Sequence, residues 1–379
     1  MSKSSLCVGI LGGGQLARMS AYAAYRLGLD IAILEKERGS PAGQMTHREF
    51  VGTVNDTSLL RKFSGACDVI TLENEFIDSG RIEVLENFGT KVVPSSRTIA
   101  SIQDKLLQKE LLHRNGLPVP KFMIVRHKND FSSIASSLGL PFVVKSRKMG
   151  YDGYGNALVT DRRSFDESFR HLTSRHAHLF AEEFVSFRLE LAVMVARTRR
   201  ETVAYPVVQT VQKDHICHTV IAPARIGKRE SADAVEIAIE AVRAVRGYGM
   251  FGIELFLRND GALLVNEMAP RPHNSGHYTI EGCVTSQFEN HIRAVLNLPL
   301  GSTQMTSPSA VMVNILGKRS TRSRMRNLGN ALRNRDAHLH IYGKNISREG
   351  RKMGHLTVLG TSAATLLRKA RHIESQLHV

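Results

Sequence analysis

The alternation in the first hundred residues constrains the fold most. Short apolar runs at 6–11, 31–34, 68–72 and 91–93 alternate with helical stretches. The first run breaks at Gly12-Gly13-Gly14 before a helical segment at 15–27 that stops at Gly28. Strands separated by helices read as right-handed βαβ units, and therefore as a parallel sheet. Beyond this region the pattern becomes mixed. Helices are expected at 101–115, 131–138 and 233–248, and strands at 178–185, 189–196, 202–211, 251–257 and 263–267. From about residue 309 the chain reads as short strands with much charge.

At 379 residues the chain is too long for one ordinary core and implies two to four domains or lobes. With 42% hydrophobic and 23% charged residues it reads as a folded protein. No apolar run approaches the ~20 residues that cross a bilayer. The N-terminus reads as a first strand and not as an export signal. Cys7, Cys67, Cys217 and Cys283 form no CxxC pair, so buried free thiols in a reducing cytoplasm are expected. Lys and Arg number 51 against 35 Asp and Glu, a formal +16. Part of that excess is Lys318, Arg319, Arg322, Arg324, Arg326, Arg333 and Arg335, a tract with no acid before Asp336. No aromatic residue is interleaved there to stack on bases, which argues for a solvated surface and against nucleic acid.

Four constellations carry chemistry. Gly12-Gly13-Gly14-Gln15-Leu16-Ala17 fits GxGxxA between a strand and a helix, with Glu35 ending the next strand. This is the dinucleotide fingerprint, although any polar ligand can use helix N-terminal amides in this way. Lys145 stands at a strand end before Gly150-Tyr151-Asp152-Gly153-Tyr154-Gly155 and Asn156, a glycine loop that can fold over nucleotide phosphates. Asn259-Asp260-Gly261-Ala262 separates two strands, and a two-residue type I′ turn there sets Glu254 directly opposite Glu267. Like charges so placed destabilise a hairpin unless a cation lies between them, and magnesium with phosphate oxygens meets that need. Asn266 adds an oxygen at the same strand end. Finally, Arg271, His273, Asn274, Ser275 and His277 crowd a proline-containing loop suited to anion handling.

Taken together, Lys145, the glycine loop, Glu182-Glu183-Phe184-Val185, Glu190, Glu254 and Asn266-Glu267 resemble the ATP-grasp superfamily. The strings Gly13-Gly14-Gln15-Leu16, Gly150-Tyr151-Asp152-Gly153, His273-Asn274-Ser275-Gly276-His277 and Gly350-Arg351-Lys352-Met353-Gly354-His355 are similar to those of the 5-(carboxyamino)imidazole ribonucleotide synthases. The resemblance implies an α/β fold, α+β overall. It would hold a Rossmann-like domain at 1–100, ATP-grasp lobes at 101–185 and 186–305, and a small β-rich domain at 306–379. The implied activity is a purine-pathway ligase: magnesium ATP phosphorylates bicarbonate, and the amine of aminoimidazole ribonucleotide takes up the carbon dioxide.

By the same resemblance, Lys105 and Lys145 contact ATP, with the glycine loop and Asn156. Glu182–Val185 read the adenine, Glu190 and Gln212 lie at the nucleoside, and Asn266 and Glu267 lie at its phosphates. Glu254 and Glu267 hold magnesium. Gln15, Leu16, Glu73, Tyr151, Asp152, His273, Asn274, Ser275, Lys344 and Arg351 surround the ribonucleotide, the last two at its phosphate. Asp152, Arg271, His273 and Asn274 are the candidate catalytic residues, Asp152 as proton acceptor. The family is usually a cytoplasmic homodimer. Gln212 stands where a histidine is expected, and Tyr154 where Lys or Arg is common. Three rival readings share parts of this pattern: a formate-dependent glycinamide ribonucleotide ligase, a biotin-dependent carboxylase and a basic RNA-binding homologue. The His-Asn-Ser-Gly-His string argues against the first, the chain length against the second, and intact Lys145, Glu254 and Glu267 against the third.

Overall fold

The computed structural model describes residues 5–150, 155–176, 178–324 and 326–377. Tyr151, Asp152, Gly153 and Tyr154 lie outside them. The N-terminal alternation closes into a five-stranded parallel sheet. Its strand order is Glu49–Val51, Asp30–Glu35, Cys7–Leu11, Val69–Leu72, Lys91–Val92. The chain turns one way from the strand Cys7–Leu11 and the other way from Val69–Leu72. The crevice at their carboxyl ends is therefore the switch point where such sheets place polar site residues. Gly12 follows the first strand and Glu73 the second.

A four-stranded antiparallel sheet follows, in the order Phe122–Val125, Leu179–Glu183, Phe142–Ser146, Asn156–Val159. Apart from a two-stranded pair of Thr321–Arg322 with Ile346–Ser347, a nine-stranded sheet holds the rest. Its path runs Leu263–Ala269, Gly249–Arg258, Phe187–Arg197, Val208–Lys213, Ile216–Ala222, Ser309–Leu316, Lys352–Gly360, Ala337–Ile341, and Thr202–Ala204 pairs beside Phe187–Arg197. The C-terminal segment thus extends the same sheet that carries the two glutamates. Residues 184–186 are the link between the second and third sheets.

Parity explains which face does what. Leu191, Val193, Val195, Ile253, Leu255 and Leu257 pack against Ala234, Ala238 and Ala241 of the helix Lys228–Ala244. Each such burial is worth ~1.5–3 kcal/mol, so the odd positions face the core. The even positions Glu190, Ala192 and Glu254 are left to the opposite face. Three expectations need correction. The helix at 101–115 is two helices, Ser96–Gln103 and Lys105–Arg114, because Asp104 turns extended and caps the second by accepting from the amides of Leu106 and Leu107. The helix expected at 233–248 starts earlier and ends earlier, at Lys228–Ala244. The strand at 202–211 is broken between Ala204 and Val208, where Pro206 has no amide to give a ladder.

The hairpin also differs in its turn. Gly261, at φ +85°, ends a three-residue loop whose amide donates to the Arg258 carbonyl at 3.1 Å, in place of the two-residue type I′ turn. That loop alone would leave Glu254 opposite Asn266. A bulge restores the pairing: Leu255 faces Val265, but Glu254 faces Glu267, with Asn266 as the extra residue.

Candidate active site

The glycine loop at 12–14 is occupied by carboxylates. The Gly13 amide donates to Glu35 Oε2 at 2.8 Å and the Ala17 amide to Glu73 Oε2 at 3.1 Å. Two acids on these donors repel a pyrophosphate, which removes the basis for the dinucleotide reading. A Cβ at Gly14 would lie 2.8 Å from Glu73 Oε2, so the glycine makes room for Glu73 at the helix N-terminus. Burial raises the Glu73 carboxyl above the ordinary range, against the pull of the Ala17 amide and Lys344. Gln15 opens the helix Gln15–Arg26 half-buried, and Leu16 is buried in its core.

The side that bears Lys145 is built from lysines and carboxylates. Lys145, on the strand Phe142–Ser146, pairs with Glu182, whose other oxygen lies 2.6 Å from Lys109 Nζ. Lys109 also donates to the Val265 carbonyl at 2.9 Å. One carboxylate serves two ammoniums, so the trio carries a surplus positive charge. Burial pushes the Lys109 ammonium down to about 8, with Glu182 pulling the other way. Glu183 accepts from the Lys121 amide, Phe184 is exposed and Val185 buried, so this short link offers backbone edges between the sheets. Gly150 and Gly155 come together at the ends of the glycine loop, and Asn156 faces Lys145 in the ladder.

Glu190 faces Thr210 across the sheet, so Gln212 stands on the same face. Burial raises the Glu190 carboxyl above its usual range, with the Gln212 side chain pulling the other way. Ala192 in turn faces Glu254, which faces Glu267. Glu190, Glu254 and Glu267 therefore share one surface. Burial, and then the charges of Glu267 and Glu190, push Glu254 up to about 8. Burial also opposes ionisation of Glu267, but Lys105, whose Nζ lies 2.5 Å from Oε2, holds it at about 2. Asn266 Nδ2 lies 3.4 Å from Glu254 Oε2. Gln108 anchors this edge: its carboxamide accepts from the Met268 amide at 3.0 Å and donates to the Met268 carbonyl at 3.1 Å.

The polar loop closes the other side of the pair. Arg271 binds Glu75 in bidentate fashion at 2.5 and 3.0 Å. His273 Nε2 is 3.4 Å from Glu254 Oε1, and Nδ1 is 2.7 Å from Ser275 Oγ. Burial, then Arg271 and Lys352, lower His273 to about 3, so the ring is neutral. Asn274 turns inward: its carboxamide exchanges two hydrogen bonds, of 3.0 and 2.6 Å, with that of Asn314. Lys344 lies over the Tyr342 ring and donates to the Lys352 carbonyl at 2.7 Å, while Arg351 donates to the Ile346 carbonyl at 2.7 Å. The Gln44 side chain donates to the Gly343 carbonyl at 3.0 Å and ties this segment to the N-terminal sheet domain.

Comparison with known proteins decides what this arrangement belongs to. The family models of the ribonucleotide synthetase preATP-grasp domain, the ATP-grasp domain and the phosphoribosylaminoimidazole carboxylase C-terminal domain match residues 6–103, 110–288 and 310–369. The chain is 42% identical to N5-carboxyaminoimidazole ribonucleotide synthase of Synechococcus elongatus, over 98% of this chain and 93% of that protein. The chain belongs to the N5-carboxyaminoimidazole ribonucleotide synthase family. Within that family, the Thermotoga maritima synthetase structure superposes with a TM-score of 0.87 at 41% identity, covering 98% of this chain and 99% of that one. The Aspergillus clavatus synthase, solved with ADP and 5-aminoimidazole ribonucleotide, gives 0.89 at 35% identity over 98% of both chains. The phosphoribosylaminoimidazole carboxylase of Ogataea methanolica is 42% identical over 98% of this chain, which spans 69% of that longer protein.

Residues that the sequence reading missed lie behind the expected ones. Lys109, Glu75, Asn314 and Gln287 each hold a candidate site residue far away in sequence, and Gln108 holds Met268 next to Glu267. Arg271 and Glu75, for example, are 196 residues apart. For Lys109 a local signal existed, since it stands one helical turn from Lys105 on the helix Lys105–Arg114.

Proposed function

We propose that this chain carboxylates the exocyclic amine of 5-aminoimidazole ribonucleotide, using bicarbonate and ATP. The observation that carries this reading is the facing pair Glu254–Glu267, set between the lysine cluster on one side and the His273–His277 loop on the other. The Aspergillus clavatus relative bears ADP and 5-aminoimidazole ribonucleotide together, which supports two ligand sites in one cleft.

In this reading Lys145 and Lys105 receive the ATP phosphates, which compete with Glu182 and Glu267 for these ammoniums. Residues 182–185 read the adenine, and Glu190, steadied by Gln212, takes the ribose hydroxyls as an acceptor. Glu254, Glu267 and the Asn266 oxygen suit magnesium, which favours a few carboxylates plus phosphate oxygens. Among the described residues no cluster of three or more His, Cys, Asp or Glu forms a cage. Magnesium, when bound, would neutralise charge on the phosphates and relieve the repulsion that raises Glu254. Bicarbonate oxygen attacks the γ-phosphorus and ADP leaves. The carboxyphosphate then breaks to carbon dioxide and phosphate. The amine attacks the carbon dioxide, and its proton goes to a base, for which Asp152 is the candidate outside the described residues. Arg271 and neutral His273 border the oxyanions formed. Lys344 and Arg351 take the ribonucleotide phosphate.

The test is ADP release with each substrate omitted in turn. Release should be fast only with magnesium, bicarbonate and 5-aminoimidazole ribonucleotide all present. Equal rates with formate and glycinamide ribonucleotide would overturn the assignment.

A further inference from the structure

The segment between the strand end at Ala269 and His277 contains Pro270 and Pro272 and has little ladder of its own. The His273 backbone is nevertheless held in place, and its holder is Gln287, while Ser275 holds the ring through Nδ1. It opens the helix Gln287–Leu296 and is fully buried. Gln287 Oε1 accepts from the His273 amide at 3.0 Å, and Nε2 donates to the His273 carbonyl at 2.8 Å. A backbone amide only donates and a carbonyl only accepts, so these two bonds fix which end of the carboxamide is nitrogen.

The same Nε2 lies 3.2 Å from His277 Nδ1. A donor there requires a lone pair on Nδ1, so His277 is neutral with its proton on Nε2. Burial agrees, since it lowers His277 well below the usual histidine range. The surrounding chain is shaped to this carboxamide. A Cβ at Gly276 would collide with it and would lie 2.8 Å from Met194 Cγ. The Gln287 amide donates to Thr279 Oγ1 at 2.9 Å, and that hydroxyl donates to the Gly276 carbonyl at 2.6 Å. Gln108 does the same for Met268, so two carboxamides act as peptide mimics along one edge of the site. Only Gln287 also reaches a side chain of the loop.

Resting on the ligase reading above, we propose that Gln287 is a positioning residue. Its carboxamide fixes the His273 backbone from which the Ser275-bonded ring turns Nε2 to Glu254, and it locks His277 as the Nε2–H tautomer.

Long-range ¹⁵N–¹H spectra of the wild type, with His277 assigned by the signal lost in His277→Asn, read the tautomer directly. The expected proton position is Nε2. Gln287→Met keeps the length and removes all three hydrogen bonds. It should lower kcat by about tenfold, leave KM for ATP within threefold, and free the His277 proton to populate Nδ1. Gln287→Asn, one methylene shorter, should behave alike and serves if the methionine variant does not fold. A wild-type His277 protonated on Nδ1 overturns the proposal before any variant is made. So does a folded variant that keeps the wild-type tautomer, or one with kcat within twofold of wild type. Failure of the wild type to release ADP with 5-aminoimidazole ribonucleotide would sink the ligase reading and leave the tautomer result standing by itself.

Discussion

The two cationic regions of the cleft are built on opposite plans. In one, Lys105, Lys109 and Lys145 each face a carboxylate, and Glu182 is shared between two of them. On the C-terminal side Lys344 and Arg351 donate to backbone carbonyls, in a segment (306–379) with 14 Lys and Arg against 3 acids. A carbonyl satisfies a hydrogen bond without cancelling charge, whereas a carboxylate does both. The first region is neutralised in advance down to a small surplus, so an incoming anion must exchange ion pairs to bind there. In the second, the bonds to carbonyls do not themselves cancel the charges of Lys344 and Arg351, on which the acids Glu73 and Glu37 also act.

The largest effect that would break this comparison concerns the carboxylates themselves. Glu267→Gln and Glu254→Gln should each lower turnover by about a thousandfold or more with the fold intact, a loss of several kcal/mol at the transferred phosphoryl group. The double variant should be no worse, because the two act as a unit. Near-normal steady-state rates in either single variant would make the pair structural.

Next, Arg351→Ala should raise KM for 5-aminoimidazole ribonucleotide by roughly ten- to a hundredfold, one charge-assisted contact of about 1.5–3 kcal/mol, and leave KM for ATP alone. The reverse pattern would put the C-terminal segment at the wrong ligand.

A smaller effect sharpens the lysine–carboxylate region. Lys109 sits at about 8 in the unliganded protein, and phosphate nearby would raise it. The bound form then holds its proton to higher pH, so ATP affinity should be constant below about 8 and fall above it. Calorimetry at pH near 8.5 in buffers of different ionisation enthalpy should show proton uptake, and none if Lys109 does not sense the nucleotide.

The smallest effect is expected at the exposed tract. Replacing Arg322, Arg324 and Arg326 together by Gln should leave turnover within about twofold, and RNA binding by the wild type should be weak and lost steeply with salt. Binding that survives physiological salt would give this tract a role that the solvated-surface reading denies it.

Much of this was legible in the sequence where the physics is local. Alternating apolar runs gave the parallel sheet, and the residues around Asp260-Gly261 gave the Glu254–Glu267 pairing. That pairing was reached through the wrong turn: the bulge at Asn266 compensates for the longer loop, and no propensity at 266 announces it. The carboxylates on the glycine loop were not legible either. Glu73 meets the Ala17 amide only because the strand Val69–Leu72 lies beside Cys7–Leu11. Asn274, in the most specific motif, turns out to bond Asn314, 40 residues away on the strand Ser309–Leu316. The motif marked the loop, while tertiary packing decided which of its residues turn inward.

The central claim is that ATP activates bicarbonate in this cleft, and the fate of bicarbonate oxygen tests it most directly. With ¹⁸O-labelled bicarbonate, magnesium ATP and 5-aminoimidazole ribonucleotide, attack on the γ-phosphorus leaves one bicarbonate oxygen on the phosphate when carboxyphosphate breaks. Mass spectrometry of the released phosphate should find one ¹⁸O per molecule, in step with the carboxylated product. Phosphate free of label, released at the same rate, would contradict the account.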